Sequence, residues 1–153
     1  MARLDLMPAH VRDRLLALPC VPFDTSPWVE GPPLKARKVA LISTAGLHRR
    51  GDRPFGIGAA DYRLIASDTL PADLVMSHIS TNFDRTGFQQ DWNVVFPLER
   101  LRALVAAGEI GSLAQYHYSF MGATDSTAMQ PRARELAQIM KTEGVNAVLL
   151  IPV

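Results

Sequence analysis

The chain has 153 residues, 48% apolar and 20% charged, which is the composition of one globular domain with enough apolar surface for a core and excludes a disordered chain. Sixteen Lys and Arg oppose fifteen Asp and Glu; a net charge of +1, with no basic run beyond Arg49-Arg50, excludes the electrostatic footprint of a nucleic-acid binder. No window approaches the roughly 20 apolar residues of a membrane span, and Arg3 and Asp5 interrupt the start, so no membrane role and a cytoplasmic protein are expected.

Residues 8–18 open on a proline suited to a first helical position and place Val11, Leu15 and Leu18 on one face, which predicts an amphipathic helix ending before Pro22. Five prolines between 19 and 35, with Trp28 among them, predict an extended arm anchored by that tryptophan. The arm holds the single Cys20, which can form no internal disulfide and lacks the paired spacing of a zinc or dithiol site. Thiol chemistry by this polypeptide alone would fall to Cys20.

The run 38–43, KVALIS, followed by Thr44-Ala45-Gly46, predicts a buried strand and a tight turn. Gly51, Pro54, Gly56 and Gly58 make 48–61 a loop, with strands expected at 62–66 and 74–79. Pro97 should open a helix whose Leu98, Leu101, Leu104 and Val105 share a face and which Gly108 stops. Tyr116, Tyr118 and Phe120 alternate along 112–120 and predict a strand. Pro131 should open the last helix, with Ala133, Leu136, Ala137 and Met140 inward and Gly144 as its stop. A final apolar strand is expected over 145–153. The order of elements implies an α/β fold: a mostly parallel sheet with helices on both faces, Rossmann-like or flavodoxin-like in three layers, over 37–153, with the helix and proline arm at 1–36.

In such sheets ligands bind at the carboxyl ends of the strands. The densest polar stretch, His78-Ile-Ser-Thr-Asn-Phe-Asp84, continues through Asp91-Trp-Asn93 and falls at that edge. His78 is a candidate acid, base or carboxylate ligand, with Asp84 or Asp91 fixing its tautomer. The alternative is loop architecture, since Asn and Asp bind nearby backbone groups in turns and caps. His117 and Ser119, just before Met121-Gly122, are expected at the same crevice, against the alternative of a packed strand histidine. Thr44 and Gly46 lie where a sheet loop could offer backbone N–H groups to an anion; a plain turn is the competing reading. No nucleophile elbow, dinucleotide fingerprint or metal-ligand spacing is present, so neither hydrolase chemistry nor a metal is expected.

The stretches Asn93-Val-Val-Phe-Pro-Leu-Glu-Arg-Leu101, Gly108-Glu-Ile-Gly111 and His117-Tyr-Ser-Phe-Met-Gly122, in this order, resemble the selenoprotein B subunit family of the glycine, sarcosine, betaine and D-proline reductases. The resemblance runs from about Lys38 through His48-Arg-Arg-Gly-Asp52 to Gly144-Val-Asn-Ala-Val-Leu-Leu-Ile-Pro-Val153. It implies reductive cleavage of a C–N bond in an amino-acid-derived amine, by a selenocysteine or cysteine directly after a strand like 145–153. It further implies a pyruvoyl-type carbonyl on a partner subunit and a thiol or thioredoxin-type reductant. His78, Asp84, Asp91 and His117 would then be catalytic, and Thr44, Gly46, Asn93, Ser119 and Gly122 would bind substrate. The expected nucleophile is not among the 153 residues, so the domain is read as incomplete at its C-terminal side and inactive in redox chemistry by itself. A homodimer or larger assembly is expected at the strand edge. Two other readings stand beside this one: a complete non-redox module binding a small carboxylate or a partner subunit, and a racemase-like or lyase-like α/β enzyme.

Overall fold

The structure, a computed structural model, describes residues 3–18, 24–81 and 83–153. The chain divides into two compact units, Met1–Glu30 and Gly31–Val153. In the first, helix α1 spans Ala9–Leu16 behind Pro8 and buries none of its residues. Val11 and Leu15 are half-buried, whereas Leu18, expected on the same face, lies beyond the helix and is exposed. Trp28, expected to anchor the arm, is 81% exposed. Cys20 and its expected role lie outside the described residues.

The second unit is a mixed α/β body. Strand β1 (Lys38–Ser43) is central and pairs in parallel with β5 (Ser112–Leu113), β6 (Tyr116–Ser119) and β7 (Ala147–Ile151). Strand β3 (Arg63–Ala66) adds to β6 in antiparallel sense, and β2 (Leu47–Arg49) pairs antiparallel with β4 (Leu74–Met76) in a separate two-stranded sheet. The sheet is therefore mixed, where the pattern of elements predicted a mostly parallel one. The antiparallel member is β3, whose Arg63 to Ala66 pair with Ser119 to Tyr116 of β6; the stretch between β1 and β3 contains β2 and no helix, so no crossover forces β3 parallel to β1.

Period-two alternation in β1 feeds two cores. Val39 and Leu41 join Ile65, Trp92, Phe96, Leu98 and Leu101, and so pack against helix α3 (Leu98–Ala106), which follows the short helix α2 (Thr86–Gln90). Ala40 joins Tyr118, Phe120, Leu136 and Met140, and so packs against helix α4 (Ser126–Thr142). Helix α3 begins after Pro97 and stops at Gly108, whose φ of 71° suits a residue without Cβ. Leu104 is 41% exposed, so the buried face of α3 is narrower than its periodicity suggests.

Helix α4 starts five residues before the proline expected to open it. The Asp125 carboxylate accepts from the Thr127 N–H (2.8 Å) and caps the helix, leaving Pro131 inside it. The strand expected over 112–120 breaks at Ala114-Gln115 into β5 and β6. Strand β7 occupies an outer position, paired to β1 alone, and Val148, Leu149 and Leu150 are exposed along it. Its apolar run had predicted a buried strand.

Candidate functional site

The carboxyl ends of β1, β6 and β7 meet in a knot of backbone bonds. Phe120 N–H donates to Ser43 O (2.8 Å), Gly122 N–H to Thr44 O (2.7 Å) and Thr44 N–H to Ile151 O (3.1 Å). Past Ile151 the ladder meets Pro152, which has no N–H. The Thr44 hydroxyl takes over, accepting from Val153 N–H at 2.7 Å and donating to Val153 O at 3.1 Å. Gly122 lies against this contact: a Cβ there would overlap Val153 O and come within 2.9 Å of Thr44 O. Its glycine thus answers a need for space.

The same edge holds the Thr44–Gly46 turn. Its three N–H groups are all engaged, Thr44 with Ile151 O, Ala45 with Ser43 Oγ and Gly46 with Phe120 O. The turn therefore presents no N–H donor to an anion. Gly46 has φ 66°, and a Cβ on it would come within 3.1 Å of the His78 backbone and 3.0 Å of Met121 Cε. Ser119 is fully buried, and its Oγ accepts from Leu47 N–H at 2.8 Å. The turn at Thr44–Gly46, the backbone of His78 and the Ser119–Gly122 segment thus lie close together.

His78 follows β4 and is 5% exposed. Its Nδ1 accepts from Ser80 N–H (3.2 Å), which puts the proton of the neutral ring on Nε2, and that atom is buried without a partner among the described residues. The ring packs on Phe83, centroids 4.9 Å apart, and the Arg85 guanidinium donates to the His78 carbonyl. Burial, with the Arg85 charge adding to it, holds the His78 pKa below its ordinary value. Among the described residues no aspartate bonds to the ring, and the Ser80 backbone amide sets its tautomer. Asp84 instead accepts from Thr86 N–H (2.9 Å) and Thr86 Oγ1 (2.6 Å), and these bonds lower its pKa.

Asp91 and Asn93 form a second group at the start of α3. Asp91 Oδ1 accepts from Asn93 N–H (2.9 Å) and Nδ2 (2.8 Å); Asn93 Nδ2 also donates to Glu99 Oε2 (2.8 Å), and Asn93 Oδ1 accepts from Glu99 N–H (3.2 Å). Trp92 Nε1 donates to the same Glu99 oxygen at 3.0 Å. Bonds from Asn93, and then from Trp92 to Glu99, depress both carboxyl pKa values. Asp91 and Glu99 line a shallow depression with Arg50, Leu74 and Phe88. No hydrogen bond among the described residues joins this group to His78 or His117.

His117 stands inside the sheet, fully buried, its Nδ1 accepting from Leu41 N–H at 3.0 Å and its ring edge-on to Phe96. Burial, with the Arg102 charge nearby, pushes its pKa down to about 4. Sequence reasoning passed over Arg85, Phe83 and Glu99. The signal for Glu99 was present, since Asn93 stands six residues ahead of it at the entry to a helix. Among the described residues no group of His, Cys, Asp and Glu could hold a metal ion, and no helix is long and apolar enough to cross a membrane.

Residues 27–152 match the family model described as glycine/sarcosine/betaine reductase selenoprotein B. The chain is 34% identical over 120 residues to the D-proline reductase subunit gamma of Acetoanaerobium sticklandii, an alignment covering 76% of this chain and 49% of that protein. It is 31% identical over 144 residues to the glycine reductase complex component B subunit gamma of Symbiobacterium thermophilum (86% and 32% covered). It is 32% identical over 119 residues to the sarcosine reductase complex component B subunit beta of Peptoclostridium acidaminophilum (74% and 27%). The chain thus spans half or less of the length of these relatives. No solved structure matches it.

Proposed function

The chain belongs to the glycine/sarcosine/betaine reductase selenoprotein B family, and from that premise we propose that it is the N-terminal part of a B-type reductase subunit. The reaction proposed is reductive cleavage of the C–N bond of an amino-acid-derived amine, with a selenocysteine or cysteine directly after Val153 as nucleophile. That residue would bond to the substrate α-carbon as the C–N bond breaks, the nitrogen leaving with its electron pair, on a pyruvoyl-type carbonyl of a partner subunit where it bears a hydrogen and as the free tertiary amine where it does not. A dithiol reductant of thioredoxin type would then supply the two electrons that release the protonated carbon product and itself become a disulfide. A selenol ionises below the thiol value of ~8.5, which suits a nucleophile working at neutral pH.

One observation carries this reading: the strand that leads to the expected nucleophile ends among the carboxyl ends of β1 and β6, where Gly122 is exposed and His78 lies one turn away. His78 is neutral there with its proton on Nε2, a donor suited to a substrate carboxylate once the ring is uncovered. Asp84 ties the loop after His78 to Thr86, and Asp91 and Asn93 brace the entry to α3 with Glu99. His117 holds β6 to β1 through the Leu41 amide. A second copy of the chain, or another subunit, would pair at the open edge of β7. Such a subunit would work in the cytoplasm, the compartment expected from the sequence.

Sequencing the gene past codon 153 tests the reading. UGA or a cysteine codon, followed by an open frame of α/β pattern, is the expected result, and the encoded protein should cleave the C–N bond of glycine, sarcosine, betaine or D-proline when supplied with its partner subunit and a dithiol, freeing an amine from the acyclic substrates and opening the ring of D-proline. UAA or UAG at that codon would overturn it and favour a non-redox module.

A further inference from the structure

The knot at the strand ends does more than close the sheet. Pro152 removes the one backbone N–H that could continue the β1–β7 ladder, so the direction in which the chain leaves β7 depends on side chains. The side chain in place is Thr44, whose single hydroxyl holds both polar atoms of Val153, at 2.7 Å and 3.1 Å. Gly122 supplies the opposing surface, since any Cβ there would displace Val153 O or break the 2.7 Å bond from Gly122 N–H to Thr44 O. A hydroxyl on one strand and a missing Cβ on another thus define one path for the backbone at Val153.

We infer that Thr44 and Gly122 are positioning residues, fixing by hydrogen bonding and by close packing the point and direction at which the residue following Val153 leaves the carboxyl ends of β1, β6 and β7. The inference rests on the reading above for the identity of that residue, and assigns Thr44 and Gly122 a task distinct from binding substrate. A hydroxyl is the feature required at 44, so Ser should replace Thr there and isosteric Val should not. A misplacement of about 1 Å at a nucleophile is enough to cost up to about a hundredfold in rate.

The test uses the full-length gene product with cysteine at the position after Val153, and compares it with its Thr44→Ser, Thr44→Val and Gly122→Ala variants. Two quantities are read: hydrogen exchange of the Val153 amide, and kcat against KM for amine release. Thr44→Val and Gly122→Ala are expected to speed Val153 exchange about fivefold or more and to lower kcat about tenfold or more with KM little changed, while Thr44→Ser stays close to the parent. Unchanged Val153 exchange in Thr44→Val overturns the inference, and so does faster exchange with an unchanged kcat. If Thr44→Val does not fold, the contrast between Gly122→Ala and Thr44→Ser gives the same decision. A parent protein with no turnover at all would overturn the functional reading alone, and Val153 exchange would still decide whether Thr44 fixes the path.

Discussion

A histidine whose ring accepts a backbone N–H inside a sheet is held neutral, because protonation would remove the acceptor and bury a charge. His117 is such a residue: its pKa of about 4 lies below the unfolded value near 6.5, so the native state binds fewer protons. The stability this contributes is complete above pH 6.5 and is lost as pH falls toward 4. Its full size is about 3 kcal/mol. His78, lowered by burial in the same direction, adds to the loss. Urea denaturation at pH 7 and at pH 4.5 should therefore show clearly lower stability at the acid end. In His117→Leu that pH dependence should shrink, and stability at pH 7 should fall by about 1–3 kcal/mol because Leu41 N–H is left without an acceptor. A variant with the parent's full pH dependence would refute this account.

Helix ends supply the next level of control. Three bonds of the Asn93 side chain tie Asp91, Asn93 and Glu99 together at the entry to α3. Asn93→Ala should cost about 1–2 kcal/mol in chemical denaturation, as the loss of a cap does. If Asn93 acts only through this cap, substrate KM in the full-length protein should stay unchanged; a large rise in KM would return Asn93 to the substrate site. Pro131 poses the converse case, since it leaves the Thr127 carbonyl without its helical N–H partner in α4. Restoring that bond outweighs the entropy lost from the unfolded chain's side, so Pro131→Ala should stabilise by about 1 kcal/mol. These elements also show what the sequence displays. The 38–43 strand, the start of α3 after Pro97 and the stops at Gly108 and Gly144 were legible, because each depends on neighbours within a few residues. The start of α4 was misread because two local signals competed, and the Asp125 cap prevailed over the proline preference for a first turn.

At the scale of the whole molecule, the outer strand β7 offers an edge paired on one side only. Val148 and Leu150 lie on the face that β1 presents with Ala40 and Ile42, and Leu150 is 65% exposed. An unpaired edge bearing exposed apolar side chains is a template for another strand. Sedimentation of the 153-residue chain should show a dimer or larger species, and Leu150→Lys should shift it toward monomer with little change in melting temperature. A monomer at every concentration would reject β7 as the contact.

The sequence by itself determined the α/β class, the two glycine-stopped helices, the family and the polar stretch from His78 to Asn93, because periodicity, caps and motif spacing are properties of contiguous residues. Tertiary structure alone decided which partners those polar residues bond to. Whether an apolar run such as 147–151 is buried depends on whether strands flank it on both sides, and β7 has β1 on one side only. Whether a histidine is held or open depends on a partner far along the chain, as Leu41 is to His117 across 76 residues. The clamp of Thr44 on Val153 spans 109 residues, a separation that no local pattern encodes.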